Sequence, residues 1–154
     1  MKPYPILLDT NLLVLFVVGT ASRVYIEKHK RLTEFTVEDY DALLKIISAA
    51  SAILVTPNTL TETSNLAAYI GEPARSHVLE IFRCVIESTQ ETYVPSHKAS
   101  AHKDFVRLGL TDASLINISS EDTTVLTTDL GLYLAVLEKG MPAINFNHVR
   151  DQYL

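Results

Sequence analysis

The chain has 154 residues, of which 47% are hydrophobic and 20% are charged, and its formal net charge is −5. This length and composition predict a single domain over residues 1–154 and argue against disorder. The acidic balance argues against a protein that coats nucleic acid through its bulk charge. It does not exclude a nuclease, because metal-binding carboxylates themselves add negative charge.

The sequence holds one cysteine, Cys84, so no internal disulfide can form and a reducing compartment such as the cytoplasm is expected. The apolar helical pattern around Cys84 predicts a buried core thiol. No apolar run reaches the ~20 residues of a membrane-spanning helix, so we expect no membrane contact.

Short apolar segments alternate with longer helical patterns, which predicts a mostly parallel sheet covered on both faces, an α/β fold in three layers. In the first half, the sequence predicts a strand at 5–8, a helix at 12–18 ending at Gly19, and a polar stretch at 20–35 whose structure the sequence leaves open. It then predicts a helix after Thr36, a strand at 52–55, a helix from Pro57 to Gly71 and a helix from Pro73 to Ser88. In the second half, the sequence predicts a short strand or extended link at 93–94, a helix capped by Ser96 that reaches Leu108, and a helix capped by Thr111 that runs through Ile118. It then predicts a strand at 125–127, a helix that Thr128-Asp129 opens and that reaches Glu138 before Gly140, and a strand at 143–146.

Two helix starts carry local capping patterns. Thr36 has Asp39 three residues later, where a capping box usually has Glu or Gln. Thr56 and Pro57 fit an N-cap and the first helical residue. These patterns predict helices that begin just after residues 36 and 56.

Three aspartates lie where a helix begins. Asp9 and Asp129 each follow a predicted strand, and Asp112 opens a helix. Ligands of open parallel sheets bind beyond the carboxyl ends of the strands, so we expect these side chains to converge. Glu62 lies beside the apolar arc of its helix and can point toward the same place. Four such carboxylates would repel one another without a cation, and Mg²⁺ and Mn²⁺ prefer oxygen ligands.

Each acid also has an ordinary structural explanation. Aspartate at a helix start is favoured by capping and by the helix dipole. Glu62 alone is most simply a surface glutamate. The joint pattern, rather than any single residue, therefore favours a metal site.

Four sequence blocks, in this order, resemble the signature of the PIN-domain family: Leu7-Leu8-Asp9-Thr10-Asn11, Thr56-Pro57-Asn58-Thr59-Leu60-Thr61-Glu62, Leu110-Thr111-Asp112-Ala113 and Val125-Leu126-Thr127-Thr128-Asp129. The resemblance covers residues 5 to 147. It implies a three-layer PIN-like fold and an endoribonuclease that depends on Mg²⁺ or Mn²⁺. It further implies that the metal-binding and catalytic quartet is Asp9, Glu62, Asp112 and Asp129, with Asn11 and Thr127 in support.

Two departures from the family concern substrate choice and any toxin role. The segment between Asp9 and Glu62 is longer than in compact PIN toxins, with residues 20–35 as the insertion. The helix after Asp112 is less rich in alanine than usual.

The expected chemistry is hydrolysis of an RNA phosphodiester by a metal-activated water, leaving a 5′-phosphate and a 3′-hydroxyl. By family analogy the protein could be the toxin of a toxin–antitoxin pair. An antitoxin would then cover the pocket or insert a basic side chain into it, and a homodimer is expected.

Basic residues offer candidate RNA contacts. Lys98, Lys103 and Arg107 lie on one predicted helix, and Lys28, Lys30 and Arg31 form a second cluster. For both groups, and for Arg150, a solvated charged surface is the commoner explanation.

Two alternative functions stay open. One is a PIN-like module that binds RNA or protein without cleaving it. The other is a phosphatase of the haloacid-dehalogenase type, which also begins with a strand followed by Asp. That chemistry needs a second Asp two residues after the first, and Asn11 at this position argues against it.

Overall fold

The computed structural model describes residues 3–151 and confirms the predicted α/β class. Its sheet has five strands in the order β3-β2-β1-β4-β5, and every neighbouring pair is parallel. The strands are β1 Ile6–Leu8, β2 Ile53–Val55, β3 Gln90–Glu91, β4 Thr124–Thr127 and β5 Ala143–Asn145. Helices connect successive strands, which gives three layers.

The helices account for most of the remaining chain. They are α1 Thr10–Ala21, α2 Val24–Lys28, α3 Val37–Ala49, α4 Pro57–Ala67, α5 Ala74–Ser88, α6 Ser96–Ser100, α7 Phe105–Leu108, α8 Leu110–Ile118, α9 Leu130–Glu138 and α10 Phe146–Arg150. Within the described residues, no helix is both long and apolar enough to cross a bilayer.

Strand β1 is central and buried on both faces. Leu7 pairs with Leu54 of β2 on one side and with Val125 of β4 on the other. Ile6 and Leu8 point to one face of the sheet while Leu7 points to the opposite face, because side chains alternate along a strand.

The core therefore forms two clusters. The larger one packs Ile6 and Leu8 against α1, α3, α4 and α5. The smaller one packs Leu7 and Val125 against α8 and α9, through the buried residues Leu115, Ile116, Leu132, Ala135 and Val136. Helices on both faces leave the carboxyl ends of β1, β2 and β4 together at one edge.

Side-chain caps fix three of the helix starts as predicted. Thr36 accepts a hydrogen bond from the Asp39 amide, and the Asp39 carboxylate accepts one from the Thr36 amide, which completes the capping box. Thr56 caps α4 with Pro57 as its first residue, and Asp129 caps α9.

The prediction that Gly19 ends the first helix is wrong. Helix α1 continues to Ala21, and Gly19 lies inside it, fully covered. A Cβ at Gly19 would lie 2.3 Å from Cδ2 of Tyr40 on α3. Glycine is therefore present because α3 packs closely on α1, and it does not act as a stop signal.

Several other boundaries differ from the prediction. Helix α1 begins at Thr10 rather than at residue 12, and Phe146 begins α10 instead of ending a strand. The helix expected from Ser96 to Leu108 is two short helices, α6 and α7. Helix α8 begins at Leu110 rather than after Thr111, following Gly109 at a φ of 88°. Helix α4 ends at Ala67 instead of Gly71.

The polar stretch at 20–35 contains the short helix α2 and a loop. The third strand of the chain is residues 90–91, and residues 93–94 belong to no strand or helix.

Two predictions about single residues are wrong. Cys84 is exposed on α5 and is not a core thiol. Arg150 is not a solvated charge, because its guanidinium contacts the Asp39 carboxylate at 2.8 Å and both side chains are largely buried.

Candidate functional site

The four predicted acids meet at one cavity. It has a volume of about 160 Å³ and is lined by Asp9, Thr10, Asn11, Glu62, Leu66, Asp112 and Asp129. The acids come from four separate segments: the end of β1, the middle of α4, the first turn of α8 and the turn between β4 and α9. The fold thus brings together side chains that are up to 120 positions apart in the sequence.

Asp9 is the buried member of this set. Its Oδ1 accepts a hydrogen bond from the Leu12 amide at 2.9 Å, which caps α1. Its Oδ2 accepts from the Thr127 hydroxyl at 2.5 Å and from the Thr128 amide at 3.0 Å. Burial raises the pKa of Asp9, these hydrogen bonds oppose the rise, and the charge of Asp129 adds to it.

Thr127 connects two of the acids. Its hydroxyl donates to Asp9 and accepts from the Asp129 amide at 2.9 Å. The side chain is fully buried at the end of β4. Thr127 therefore holds the Asp9 carboxylate and the start of the Asp129 turn in one arrangement; the resemblance implied a polar contact of this kind.

Asp129 and Glu62 are the exposed members. Oδ1 of Asp129 accepts from the Leu132 amide at 3.0 Å and caps α9. Oε2 of Glu62 accepts from the Thr10 hydroxyl at 3.1 Å. Each hydrogen bond engages one carboxylate oxygen and leaves the other oxygen for a ligand.

Asp112 differs from the other three. Within residues 3–151 its carboxylate takes part in no hydrogen bond or ion pair. Burial, followed by the charges of Asp129, Asp9 and Glu62, raises the pKa of Asp112 to about 7. Capping cannot explain this residue, because Asp112 caps nothing and its ionised form is disfavoured by its surroundings.

The donor set suits a hard divalent cation. In the described part of the chain, no three His, Cys, Asp or Glu side chains are arranged so that they could hold a metal ion by themselves. Mg²⁺ does not require such a cage, since it keeps several waters and uses one or two carboxylates plus substrate oxygens. A small cavity with four carboxylates, one of them unpartnered, fits this mode of binding.

The remaining site predictions fall at different distances from the cavity. Asn11 is exposed and lines the cavity directly. Lys98 is exposed on α6. Lys103 pairs with Glu138 at the end of α9 far from Asp129. Their role in RNA binding stays a prediction.

Arg107 lies next to the acids. Its guanidinium pairs with Asp104 at 3.0 Å. A Cβ at Gly131 would lie 2.8 Å from Nη1 of Arg107 and 3.1 Å from Oδ1 of Asp129, so the two groups lie within about 6 Å of each other. This position is compatible with the predicted RNA contact.

The sequence did not predict a second cavity beside the first. It shares Asn11 with the acidic cavity and includes Lys30 and Arg31. The basic cluster was visible in the sequence, but nothing in its spacing indicated that it would lie beside the acids.

Comparison with known proteins adds no relative: no family model, curated protein or solved structure matches the chain.

Proposed function

We propose that this protein is a metal-dependent endoribonuclease of the PIN type. The observation that carries the proposal is the convergence of Asp9, Glu62, Asp112 and Asp129 on one cavity, where Asp112 has no partner among the described residues. Clusters of titratable groups with shifted pKa values are typical of functional sites.

Asp112, the free oxygens of Glu62 and Asp129, and the remaining lone pair of Asp9 would hold the cation, one or two of them directly and the others through its waters. When bound, Mg²⁺ or Mn²⁺ would relieve the repulsion among these acids, lower the pKa of a water and neutralise phosphoryl charge.

The protein's own groups position the reaction. Thr127 and the Thr128 amide fix the Asp9 carboxylate. Asn11, exposed at the rim, can donate to a phosphate oxygen. The water oxygen would lose a proton to solvent and form a bond to phosphorus while the bond from phosphorus to the 3′ oxygen breaks. The leaving 3′ oxygen would take a proton from solvent, so the products carry a 5′-phosphate and a 3′-hydroxyl.

The test compares Asp112→Asn with the unaltered protein on a labelled RNA in Mn²⁺. We expect cleavage to fall by at least about a hundredfold, because the variant loses a metal ligand but no cap or hydrogen bond. Asp122→Asn, which changes an exposed aspartate that lines neither cavity, is the matched control. Unchanged cleavage by Asp112→Asn would overturn the proposal.

A second candidate is a PIN-like module that binds RNA or protein without cleaving it. It is favoured by the observation that no three acids in residues 3–151 are already arranged to hold a metal. RNA binding without cleavage in both Mg²⁺ and Mn²⁺ would support this candidate over the first.

The proposed function implies two protein partners, an antitoxin and a second copy of this chain. An antitoxin would meet the exposed carboxylates of Glu62 and Asp129 with a basic side chain. A homodimer and a cytoplasmic location are proposed on the resemblance and on the single cysteine, and light scattering of the purified protein tests the dimer.

A further inference from the structure

A polar groove runs beside the acidic cavity. It has a volume of about 290 Å³ and is lined by Asn11, Lys30, Arg31, Thr33, Glu34 and Phe35. Because Asn11 lines both cavities, a chain bound in the groove would reach the acids directly.

The loop that forms this groove is held at its beginning by α4. His29 is buried, and its Nε2 contacts the Ala67 carbonyl at 3.0 Å while its Nδ1 accepts from the Arg31 amide at 3.1 Å. The Lys30 amide donates to the Tyr69 carbonyl at 3.2 Å. These bonds fix the backbone from which Lys30 and Arg31 project.

The other end of the loop is held by α10. Arg150 donates to the Glu34 carbonyl at 2.6 Å, and the buried side chains of Leu32 and Phe35 anchor the loop in the core. The groove is therefore a surface fixed on both sides.

Its two cations are available for a ligand. Lys30 and Arg31 are exposed, and neither forms an ion pair within the described residues. Glu34 is the only acid lining this groove. By contrast, Arg23, Lys103, Arg107 and Arg150 are all paired with carboxylates.

An aromatic surface adjoins these cations. The Arg31 guanidinium lies 5.3 Å from the centre of the Tyr69 ring, and Tyr69 is 49% exposed. Aromatic rings and guanidinium planes stack on unpaired bases, whereas a duplex keeps its bases stacked on one another.

We propose that this groove is a second subsite that needs no metal and binds single-stranded nucleic acid next to the cleaved bond. Lys30 and Arg31 bind two backbone phosphates, and the Tyr69 ring stacks on a base. The inference rests on the proposed function for the position of the cleaved bond, but the binding itself requires no catalysis.

The first experiment measures binding of a fluorescent eight-nucleotide RNA in EDTA by anisotropy. We expect Lys30→Gln/Arg31→Gln to weaken binding about tenfold and to reduce the slope of log K against log salt by about 1.4, since a single strand loses ~0.7 for each phosphate contact. Arg75→Gln/Arg83→Gln, which removes the same charge from the exposed face of α5, should bind like the unaltered protein.

Further binding measurements distinguish specific recognition of a single strand from general attraction of negative charge. Tyr69→Leu should weaken binding several-fold while Tyr69→Phe retains it, and the annealed duplex should compete poorly. A poly-glutamate peptide of equal charge should also compete poorly. If this peptide binds as tightly as the RNA, the groove takes acidic partners in general and the inference is overturned.

The results that would reject the RNA-binding subsite differ from those that would reject the nuclease activity. In Mn²⁺ the double variant should raise KM for the eight-nucleotide RNA and leave a dinucleotide substrate unaffected. Binding without any cleavage would reject the nuclease and keep the subsite. Equal binding by the double variant and its control, or no binding by the unaltered protein, would reject the subsite.

Discussion

Ionisation of the Asp112 carboxylate in the folded protein should lower the free energy of unfolding. Its pKa is raised from 3.8 to about 7 in the folded protein, so the folded state holds the proton more tightly than the unfolded chain does. As pH rises from about 4 to 7, ionisation therefore removes stability, and the loss is complete above that range. Without metal, Asp112→Asn should be more stable than the unaltered protein by ~1–2 kcal/mol at pH 8, less than the ~4 kcal/mol that the full pKa difference corresponds to, because the carboxylate is partly exposed and solvent screens it.

Urea unfolding in EDTA between pH 4 and 8 checks this expectation. The stability difference should shrink toward zero as pH falls to 4, because the unaltered side chain is then also neutral. A difference that does not change with pH would contradict the assigned cause.

Variants of Thr127 should show whether its hydroxyl positions the Asp9 carboxylate for metal binding or only stabilises the fold. Thr127→Val removes the donor to Asp9 and the acceptor for the Asp129 amide with little change of volume. We expect a loss of ~1–3 kcal/mol in unfolding free energy and about a tenfold weaker Mn²⁺ affinity by calorimetry. Thr127→Ser keeps the hydroxyl and should restore most of the affinity; a failure to do so would assign the effect to packing.

At the scale of elements, the contact of α1 with α3 depends on Gly19. Gly19→Ala would place a methyl group 2.3 Å from the Tyr40 ring, so we expect a loss of ~2 kcal/mol despite the better helix propensity of alanine. Thermal unfolding measures it. Combining Gly19→Ala with Tyr40→Leu should cost less than the sum of the two single changes, and strict additivity would argue against the contact.

Local chemistry explains which elements could be predicted from the sequence. The caps Thr36, Thr56 and Asp129 each accept from a backbone amide only three residues away, so their patterns predict the helix starts correctly. The conformation at Gly19 depends on packing against the distant Tyr40, so its pattern was misleading. Strand β3 has only two exposed polar residues, Gln90 and Glu91, and pairing with β2 alone makes it a strand.

The candidate site likewise has residues whose positions local patterns predict and others whose positions depend on distant contacts. The positions of Asp9 and Asp129 follow from strand ends in a parallel sheet, so their meeting could be predicted. The groove of Lys30 and Arg31 depends on how His29 docks on α4, a contact between residues 38 apart that no local pattern encodes.

At the scale of the whole molecule, Arg150 fastens the end of the chain to its first half. The guanidinium bonds both oxygens of Asp39, at 3.2 and 2.8 Å, and lies 5.0 Å from the centre of the Phe35 ring. It thereby joins α10 to α3 and to the loop of the proposed subsite.

Removing this arginine should destabilise the protein as a whole. We expect Arg150→Ala to cost ~3 kcal/mol, because it leaves the largely buried Asp39 carboxylate without its cation. Chemical denaturation measures the loss. Arg83→Ala, whose partner Glu80 is 65% exposed, is the control and should cost under ~0.5 kcal/mol. Equal losses of stability in the two variants would contradict the stabilising role of the Arg150–Asp39 ion pair.

The order of the strands has a consequence for synthesis. Strand β4 lies between β1 and β5 in the sheet but comes late in the chain, and Asp129 follows it. While the ribosome has released only residues up to about 120, the nascent polypeptide contains Asp9, Glu62 and Asp112 but lacks both the strand that supports Asp9 and the fourth acid. The proposed nuclease would therefore be inert during translation until β4 has paired with β1 and Asp129 has emerged from the ribosome.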